Sequence, residues 1–380
     1  MPLHLDILDV GQGDGMVVWL PNGKVMMVDL GSTRWKGLVT EDSFEYLREN
    51  TPFKNPGVTL EWLVLTHGDT DHYNMVEEFL DTFQVNIRNV LHGGLRTEYG
   101  KLIGNLGKRK NSDGTLPTIQ TGVHKGFFPL APTEDLGAEV MVMAIGVQAA
   151  AGNHGYTKNT RSVVLRIAYK GIGLLLAGDA TRDTEGQILG RMLALKKTVP
   201  SMATALRVNV LKVAHHGSHR TSNHAAFIAA VNPEYAFISS DRHGAIDPDQ
   251  DNITGHKLPQ ALTISLLEMY AARLKEGCAE HSYVTAYLED DYNKYNEKPE
   301  IPGQTVDLLP VDMSAGWLQI NSTRGIFTTL TSIGEGDDAD NEDAKDGGTQ
   351  YRVTISDNGE LDILSTDDYE MFDQISQVGN

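Results

Sequence analysis

The sequence has very little cysteine: Cys278 is alone among 380 residues. An intramolecular disulfide is therefore excluded, and so is a zinc site built from several cysteines. Long apolar runs are missing as well, since no stretch approaches the roughly 20 apolar residues that a membrane-spanning helix needs. The first residues also lack the basic and apolar segments of a secretory signal. These absences predict a soluble protein of the reducing cytoplasm that makes no membrane contact.

Positive charge is scarce, because 32 lysines and arginines stand against 51 acidic residues and leave a net charge of -19. Such a balance argues at first against a nucleic-acid partner. The charge is unevenly distributed, however. Residues 335–380 hold 14 acidic and two cationic residues, whereas residues 86–125 hold seven cationic and two acidic residues. A basic segment beside an acidic tail is compatible with a nucleic-acid site and also with plain solvated surface.

Apolar segments of strand length alternate with helical spacings along the first 290 residues. This pattern predicts an α/β domain, residues 1–290, in which two strand-rich halves form a sheet sandwich covered by helices. Within it, the basic segment 86–130 is predicted to be an insertion or lid. Predicted helices cover residues 75–83, 184–195, 225–231 and 259–275.

The remainder of the chain differs in composition. Residues 291–304 are polar and contain prolines, which is typical of a linker. Residues 305–380 predict a small β-rich C-terminal appendage. Its loop 334–348 is too acidic and too rich in glycine to pack, so we expect disorder there. A protein partner could bind through this appendage.

Four potential metal ligands occupy six residues directly after an apolar strand: His67, Asp69, Asp71 and His72. The sheet fixes the end of the strand, and the following loop can curl its side chains around a common point. One ion cannot easily take all four ligands from so short a turn. Two ions can share them, with His67 and Asp69 on one and Asp71 and His72 on the other. Imidazole nitrogen and carboxylate oxygen suit Zn²⁺, Mn²⁺ or Fe²⁺.

Two further apolar strands end in potential ligands. Residues 174–177 lead into Gly178 and Asp179, and residues 211–214 lead into His215 and His216. A Gly-Asp pair alone usually marks a turn. The three strand ends together, in this order, indicate a metal site.

The order of these motifs resembles the competence-protein branch of the metallo-β-lactamase superfamily. That branch comprises the hydrolase domain attached to the ComEC/Rec2 DNA-uptake channel and its free-standing relatives. The resemblance covers roughly residues 3–275. It rests on residues 9–14, 28–31 and 67–72, on Asn159 with Ser162, on Gly178-Asp179-Ala180, on residues 215–218, and on Gly255-His256 with Pro259.

The resemblance implies an αββα sandwich that binds two divalent ions, Zn²⁺ or Mn²⁺, with Asp179 as the candidate bridge between them. It leaves open which histidine of the 215–216 pair coordinates an ion and which contacts substrate. The implied ligands are His67, Asp69, Asp71, His72, Asp179 and His215. The candidate catalytic residues are Asp71, His216 and His256. The last could support a ligand, contact the substrate or donate a proton to the leaving group. The candidate substrate-binding residues are Asn159, Ser162, Ser218, Lys108, Arg109 and Lys110.

Some residues differ from the motifs of the competence-protein branch, and others are weaker candidates for the site. Tyr73 and Asn74 replace the glycine pair that usually follows the first ligands. His92 and His154 are weaker candidates for an additional metal ligand. β-Lactam hydrolysis is not expected, because Asp69 stands where lactamases generally place histidine.

Three functions are compatible with this site. The first is hydrolysis of phosphodiester bonds in nucleic acid, most plausibly DNA, by a hydroxide that two metal ions activate. The second is hydrolysis of a small phosphodiester, such as a cyclic nucleotide or a phosphorylcholine ester. The third is a partner-bound module of a multi-protein system.

Overall fold

The computed structural model describes residues 1–10, 12–33, 38–122, 127–150, 156–198, 206–240, 258, 263, 266–267, 326–328 and 350–365. Strands in these ranges form two sheets, one of eight and one of seven strands. None of the helices there is long and apolar enough to cross a membrane.

The first sheet combines strands from both ends of the chain. Its strands are β1 (Leu3–Ile7), β2 (Gly15–Trp19), β3 (Val25–Leu30), β4 (Thr59–Leu65), β5 (Asn86–His92), β6 (Thr118–Thr121), β14 (Tyr351–Ile355) and β15 (Leu361–Ser365). They lie in the order β15-β14-β1-β2-β3-β4-β5-β6. The strands from β15 to β3 pair antiparallel, and those from β3 to β6 pair parallel.

The second sheet follows the same plan. Its strands are β7 (Phe128–Pro129), β8 (Glu139–Ala144), β9 (Val164–Tyr169), β10 (Ile172–Leu176), β11 (Val210–Lys212), β12 (Tyr235–Ile238) and β13 (Ile326–Thr328). They lie in the order β13-β12-β11-β10-β9-β8-β7. The strands from β7 to β10 pair antiparallel, and those from β10 to β13 pair parallel.

Several helices cover the outer faces of the sheets. The bounds of the helices are α1 (Leu38–Asn50), α2 (Val76–Thr82), α3 (Leu102–Leu106), α4 (Thr133–Leu136), α5 (Thr157–Thr160), α6 (Arg182–Thr198) and α7 (Ala225–Val231). The helices expected near residues 75–83, 184–195 and 225–231 are therefore confirmed.

Alternation along the strands divides the core into layers, because successive side chains of a strand point to opposite faces. In β3, Met26 and Val28 pack between the two sheets, whereas Val25 and Met27 face the layer of α2 and α3. In β10, Leu174 and Leu176 pack between the sheets, whereas Leu175 faces the layer of α6 and α7. The αββα sandwich of the metallo-β-lactamase fold is thus confirmed.

The basic segment is largely part of the first layer and is not a free lid. β5 and β6 are strands of the first sheet, with β6 at its edge, and Leu102, Ile103 and Leu106 of α3 are buried in the outer core. The apolar side of this short helix has to be covered, so the segment packs against α2 and the sheet.

The C-terminal hairpin of β14 and β15 joins the first sheet, where Leu3 to Ile7 pair with Ile355 to Tyr351. The β character expected for the end of the chain is therefore present, but these strands extend the first sheet of the sandwich. The predicted linker 291–304, the acidic loop 334–348 and His256 lie outside the described residues, and the predicted domain boundaries stay predictions.

Candidate metal centre

Parallel strands carry the predicted ligands to one edge of each sheet. β3 and β4 are parallel neighbours, and so are β10 and β11. Since parallel strands end at the same edge, Asp29 and His67 emerge together from the first sheet, and Asp179 and His215 from the second. The packing of the two sheets then brings seven side chains together, here named the ligand cluster: His67, Asp69, Asp71, His72, Asp179, His215 and His216.

Asp179 lies at the middle of the ligand cluster, with different groups facing its two oxygens. Its Oδ2 is 3.6 Å from Nε2 of His67 and 3.6 Å from Nε2 of His215. Its Oδ1 is 3.3 Å from Nε2 of His72 and 3.7 Å from Nε2 of His216.

Asp69 and Asp71, from the loop after β4, each lie next to one of these histidines. Oδ2 of Asp69 is 3.4 Å from Nε2 of His67, and Oδ2 of Asp71 is 3.4 Å from Nε2 of His216. We name the two sets by these residues. The Asp69 group is His67, Asp69 and His215, and the Asp71 group is Asp71, His72 and His216. Both histidines of the 215–216 pair therefore face Asp179, one at each oxygen.

The Nδ1 atoms of the histidines are engaged away from the cluster centre. Nδ1 of His72 lies 2.7 Å from Oδ2 of Asp29, and Nδ1 of His216 lies 2.9 Å from the carbonyl oxygen of Ser239. Nδ1 of His215 lies 2.6 Å from Oγ1 of Thr221. Hydrogen bonds at Nδ1 leave Nε2 available as a ligand and fix the orientation of the ring.

Several buried atoms at the cluster centre have no hydrogen-bond partner among the residues that the structure describes: Nε2 of His67, His72 and His216, and Oδ1 of Asp179. Buried polar atoms in folded proteins nearly always have a partner. Three imidazole nitrogens and a carboxylate oxygen that converge in this way form a donor set that a divalent cation can bind. Groups with the right spacing include His67, His72 and Asp179, and also Asp71, His72 and His216.

The electrostatics of the cluster also favour positive charge at its centre. Burial lowers the pKa of His72, but the carboxylates of Asp179 and Asp29 outweigh burial and raise that pKa well above its usual value. For Asp179, burial raises the pKa, but the imidazoles, led by His72, bring it well below its usual value. Burial lowers the pKa of His215 to about 4, so its ring is neutral near pH 7. The carboxylates therefore attract cations, which metal ions supply.

Unusual backbone conformations direct the histidine pair inward. His215 and His216 have φ angles of 49° and 51°, in the left-handed region that residues with side chains rarely adopt. Each such residue stores roughly 1–3 kcal/mol of strain, which the surrounding structure has to overcome. Asn223 holds the loop, because its Nδ2 donates to the carbonyl oxygens of Ala214 and Ser218, both at 2.9 Å.

Glycine allows the loops to approach each other closely at two points. Gly178 has a φ of 51°, and a Cβ there would lie 2.8 Å from Cβ of Thr66. Gly13 has a φ of 152°, and a Cβ there would lie 2.7 Å from the carbonyl oxygen of Asp71. The glycine-rich loop after β1 thus forms a tight connection beside the site.

A buried ion pair lies behind the Asp71 group. Nζ of Lys212 is 2.7 Å from Oδ1 of Asp14, and both side chains are fully buried. The backbone N–H of Asp14 also donates to the carbonyl oxygen of Asp71. The pair therefore connects the loop beside Asp71 to the strand that leads into His215 and His216.

The predicted polar residues near the cluster have different positions. Nδ2 of Asn159 donates to Oδ2 of Asp179 at 3.0 Å, so this amide orients the central carboxylate. Oγ of Ser218 accepts from Oγ1 of Thr221 at 2.9 Å, in the loop beside His215. Ser162 is buried, and its Oγ has no hydrogen-bond partner within the described residues.

The predicted basic residues lie far from the cluster. Arg109 donates to Oδ1 of Asp81 at 2.6 Å and to the carbonyl oxygen of Leu80 at 2.8 Å. Asn111 then pairs with the backbone of Ile87, near the beginning of β5. The ligands lie at the carboxyl ends of the parallel strands, whereas these bonds lie at the amino end of β5. The two ends are roughly 20 Å apart, because β5 has seven residues and a strand rises by about 3.3 Å per residue. The structure therefore does not bring Lys108, Arg109 and Lys110 together with the ligand cluster.

The other histidines considered as ligands, and Asn74, have different surroundings. His92 ends β5, where its ring contacts Tyr99, and it belongs to none of the metal-competent groups within the described residues. Asn74 bonds both the N–H and the carbonyl oxygen of Ser32, so this departure from the branch joins two loops of the site. His154 and His256 lie outside the described residues.

Sequence reasoning missed Asp29, Lys158 and Lys212 as site residues. Asp29 lies near the end of an apolar strand, two residues before Gly31, and a carboxylate at a strand end is also the signal that pointed to Asp179. Lys212 is a single charge in an apolar strand, and a buried lysine needs an anionic partner. Lys158 precedes Asn159 in a polar stretch and carries no comparable signal.

Comparison with known proteins agrees with this geometry. The model of the metallo-beta-lactamase superfamily matches residues 8–240, which include the whole ligand cluster. The chain belongs to the metallo-β-lactamase superfamily. It is therefore placed among the metallo-hydrolases, as the sequence motifs imply.

Curated relatives of this metallo-β-lactamase chain include competence proteins, in agreement with the resemblance seen in its motifs. Recombination protein 2 of Haemophilus influenzae is 27% identical over 243 residues, which are 63% of this chain and 24% of that protein. ComE operon protein 3 of Bacillus subtilis is 26% identical over 254 residues, which are 63% of this chain and 28% of that protein. The chain thus spans about a quarter of the length of these relatives.

Solved structures with a similar arrangement include two metallo-β-lactamase fold proteins. The protein YhfI of Bacillus subtilis has a TM-score of 0.38 and 11% identity, with 63% of this chain and 86% of YhfI covered. The short form of human tRNase Z has a TM-score of 0.39 and 11% identity, with 62% of this chain and 92% of that enzyme covered. Identity at this level carries no information on substrate.

Proposed function

We propose that this chain hydrolyses phosphodiester bonds with the help of two divalent ions, Zn²⁺ or Mn²⁺, and that its substrate is nucleic acid, DNA in the first place. One observation carries the proposal: Oδ2 of Asp179 faces His67 and His215, whereas its Oδ1 faces His72 and His216. This arrangement suits two neighbouring ions that share one carboxylate.

The side chains have distinct tasks in this proposal. The Asp69 group would hold one ion and the Asp71 group would hold the other, and Asp179 lies between the two groups. When bound, two such ions supply Lewis acidity toward phosphoryl oxygens and lower the pKa of a water molecule. Asp29 and the carbonyl oxygen of Ser239 keep His72 and His216 in the orientation that presents Nε2. Asn159 holds Asp179 by its Oδ2.

Nucleic acid is the favoured substrate because the curated relatives carry the names of recombination and competence proteins. Competence protein ComA of Neisseria gonorrhoeae is 39% identical over 82 residues, which are 22% of this chain and 10% of that protein.

A small phosphodiester is the second candidate, and one observation favours it. The basic residues 108–110 lie at the other end of β5 from the ligand cluster, so they are not placed to hold a long polyanion at the site. The net charge of -19 acts in the same direction.

Hydrolysis by the metal-loaded chain tests the proposal. Purified chain is stripped of metal, reloaded with Mn²⁺ or Zn²⁺ and assayed on bis-p-nitrophenyl phosphate, single-stranded DNA, duplex DNA, RNA and cyclic nucleotides. We expect cleavage of DNA, and at least a hundredfold loss for Asp71→Ala. Asp135→Ala, which removes an exposed carboxylate from α4, is the matched control and should retain activity.

The outcomes separate the candidates. Cleavage of cyclic nucleotides without cleavage of DNA would favour the second candidate. A loaded chain that cleaves none of the diesters, or an Asp71→Ala variant with full activity and full metal content, would overturn the proposal.

A further inference from the structure

We propose that Lys158 is the residue that binds the phosphate group of the substrate, at the solvent-facing side of the Asp69 group. The inference rests on the proposed phosphodiester function and names the residue that recognises the anion. Its basis is the position of Lys158 relative to Asp69, together with the exposure and bonding of its ammonium group.

Lys158 and Asn159 are neighbours in the chain that reach two carboxylates of the ligand cluster. Nζ of Lys158 donates to Oδ1 of Asp69 at 2.9 Å, and Nδ2 of Asn159 donates to Oδ2 of Asp179 at 3.0 Å. The other oxygen of Asp69, Oδ2, is the one that faces His67. Only the width of one carboxylate therefore separates the ammonium group from the position where the Asp69 group would hold an ion. A phosphate bound to that ion can reach Nζ.

Exposure identifies the side from which a substrate approaches. The side chains of Lys158 and Asp69 are 42% and 34% exposed, whereas those of His67 and Asp179 are 0% and 3% exposed. Because the rest of the cluster is largely enclosed, an incoming anion meets the side of Lys158 and Asp69 first.

The ammonium group keeps a donor for a ligand. A lysine has three N–H donors, and two of them are directed to Oδ1 of Asp69 and the carbonyl oxygen of Gly68. The half-exposed side chain leaves the third donor toward solvent. A phosphate oxygen can accept it without breaking either existing bond.

Two other cations of the described residues near the cluster are paired with carboxylates. Arg161 pairs with the buried side chain of Glu98, and Lys212 pairs with Asp14 inside the sandwich. The basic residues 108–110 lie at the far end of β5. Lys158 thus combines closeness to the ligands with access to solvent.

The competing explanation is that Lys158 only holds Asp69 in place. Lys158→Gln keeps a hydrogen-bond donor for Asp69 but removes the charge, and Lys158→Arg keeps the charge. Lys54→Gln is the matched control, since Lys54 is exposed just before β4 begins, at the opposite edge of the sheet from the ligands.

Three measurements on the metal-loaded chain distinguish the explanations: metal content by mass spectrometry, the Kd for inorganic phosphate by calorimetry, and kcat with KM for bis-p-nitrophenyl phosphate. For Lys158→Gln we expect unchanged metal content and about tenfold or greater increases in the phosphate Kd and in KM, as for loss of a charge-assisted hydrogen bond. Lys158→Arg should recover most of the affinity, and Lys54→Gln should match the parent.

Two outcomes would overturn the inference. In the first, Lys158→Gln loses metal while the phosphate Kd of the fully loaded fraction is unchanged, which assigns Lys158 to Asp69 alone. In the second, neither metal content nor phosphate affinity changes. If the parent chain cleaves no diester, the proposed function fails, but the ratio of phosphate Kd values between parent and variant still tests the anion site.

Discussion

Nε of Arg352 donates to Oδ1 of Asp6 at 2.6 Å, although 346 positions separate the two residues in the sequence. Both side chains are buried, and the hydroxyl of Tyr46 donates to the same oxygen of Asp6 at 2.9 Å. Arg352 also donates to the carbonyl oxygen of Asn50, at the end of α1. The C-terminal hairpin is therefore fastened to the first strand and to the outer helix by one buried charge network.

Removing the arginine from this network should be strongly destabilising. Arg352→Met leaves the Asp6 carboxylate buried without its cation, and breaking a buried pair from one side typically costs about 3–5 kcal/mol of the free energy of unfolding. The double variant Asp6→Asn with Arg352→Met removes both charges and should recover a large part of that loss. Urea denaturation of the variants provides the measurement.

An exposed ion pair provides the control for the Asp6 and Arg352 variants. Arg88 is 60% exposed and lies 3.1 Å from Glu61, so Arg88→Met should cost less than about 1 kcal/mol. Equal losses for Arg88→Met and Arg352→Met would contradict the assignment of a stabilising role to the buried network.

The two histidines after β11 should each control one metal ion, because they face different oxygens of Asp179. At ion concentrations that just saturate the parent, His215→Ala and His216→Ala should each retain one ion, and the double variant should retain neither. Metal analysis after gel filtration measures this. His224→Ala, which changes an exposed histidine, should retain both ions, and a His215→Ala variant that also kept both would disprove the division into two groups.

Asp29 should control metal affinity without touching an ion in the proposed arrangement. Its carboxylate accepts from the N–H and hydroxyl of Thr66 and contacts Nδ1 of His72. Loss of such a partner typically lowers metal affinity about 10–100-fold. Asp29→Asn is therefore expected to weaken metal binding in that range while keeping the fold. Competition with a chromophoric chelator measures the affinity, and unaltered affinity in a folded variant would rule out the orienting role.

Glu185 should make stability depend on pH. Burial raises the pKa of this carboxyl to about 7, against the opposing bonds from the N–H groups of His224 and Asn223. Because the folded pKa exceeds the unfolded value, the stabilising contribution is complete below about pH 4.5 and is lost as the pH rises through 7. As the pH rises from about 4.5 to 7, the free energy of unfolding of the parent should fall by up to about 3 kcal/mol relative to that of Glu185→Gln.

Denaturation of both proteins at several pH values measures this difference. The quantity of interest is the gap between parent and variant, since other groups titrate in both. A gap that stays constant from pH 4 to pH 8 would exclude a raised pKa at Glu185.

The sequence pattern predicted the fold and the ligand motifs because these depend on local features. Each predicted ligand follows an apolar strand, and the parallel arrangement of such strands brings their ends together. The positions of Lys108 to Lys110 could not be predicted, because charge composition does not tell at which end of β5 a loop returns. The pairing of Tyr351–Ile355 with β1 could not be predicted from the sequence either. The alternation of apolar residues along a strand shows which of its faces is buried, but it does not show which distant strand pairs with it.

Synthesis of the chain imposes an order on folding through the pairing of β1 with β14. At typical rates of about 5–20 residues per second, about 20–70 s pass between the synthesis of the two strands. During that time β1 has an unpaired edge on the side opposite β2, and Asp6 lacks its cation. An open strand edge promotes pairing with other chains. The first sheet is thus completed late, and we expect the nascent chain to depend on protection from aggregation until Arg352 has been added.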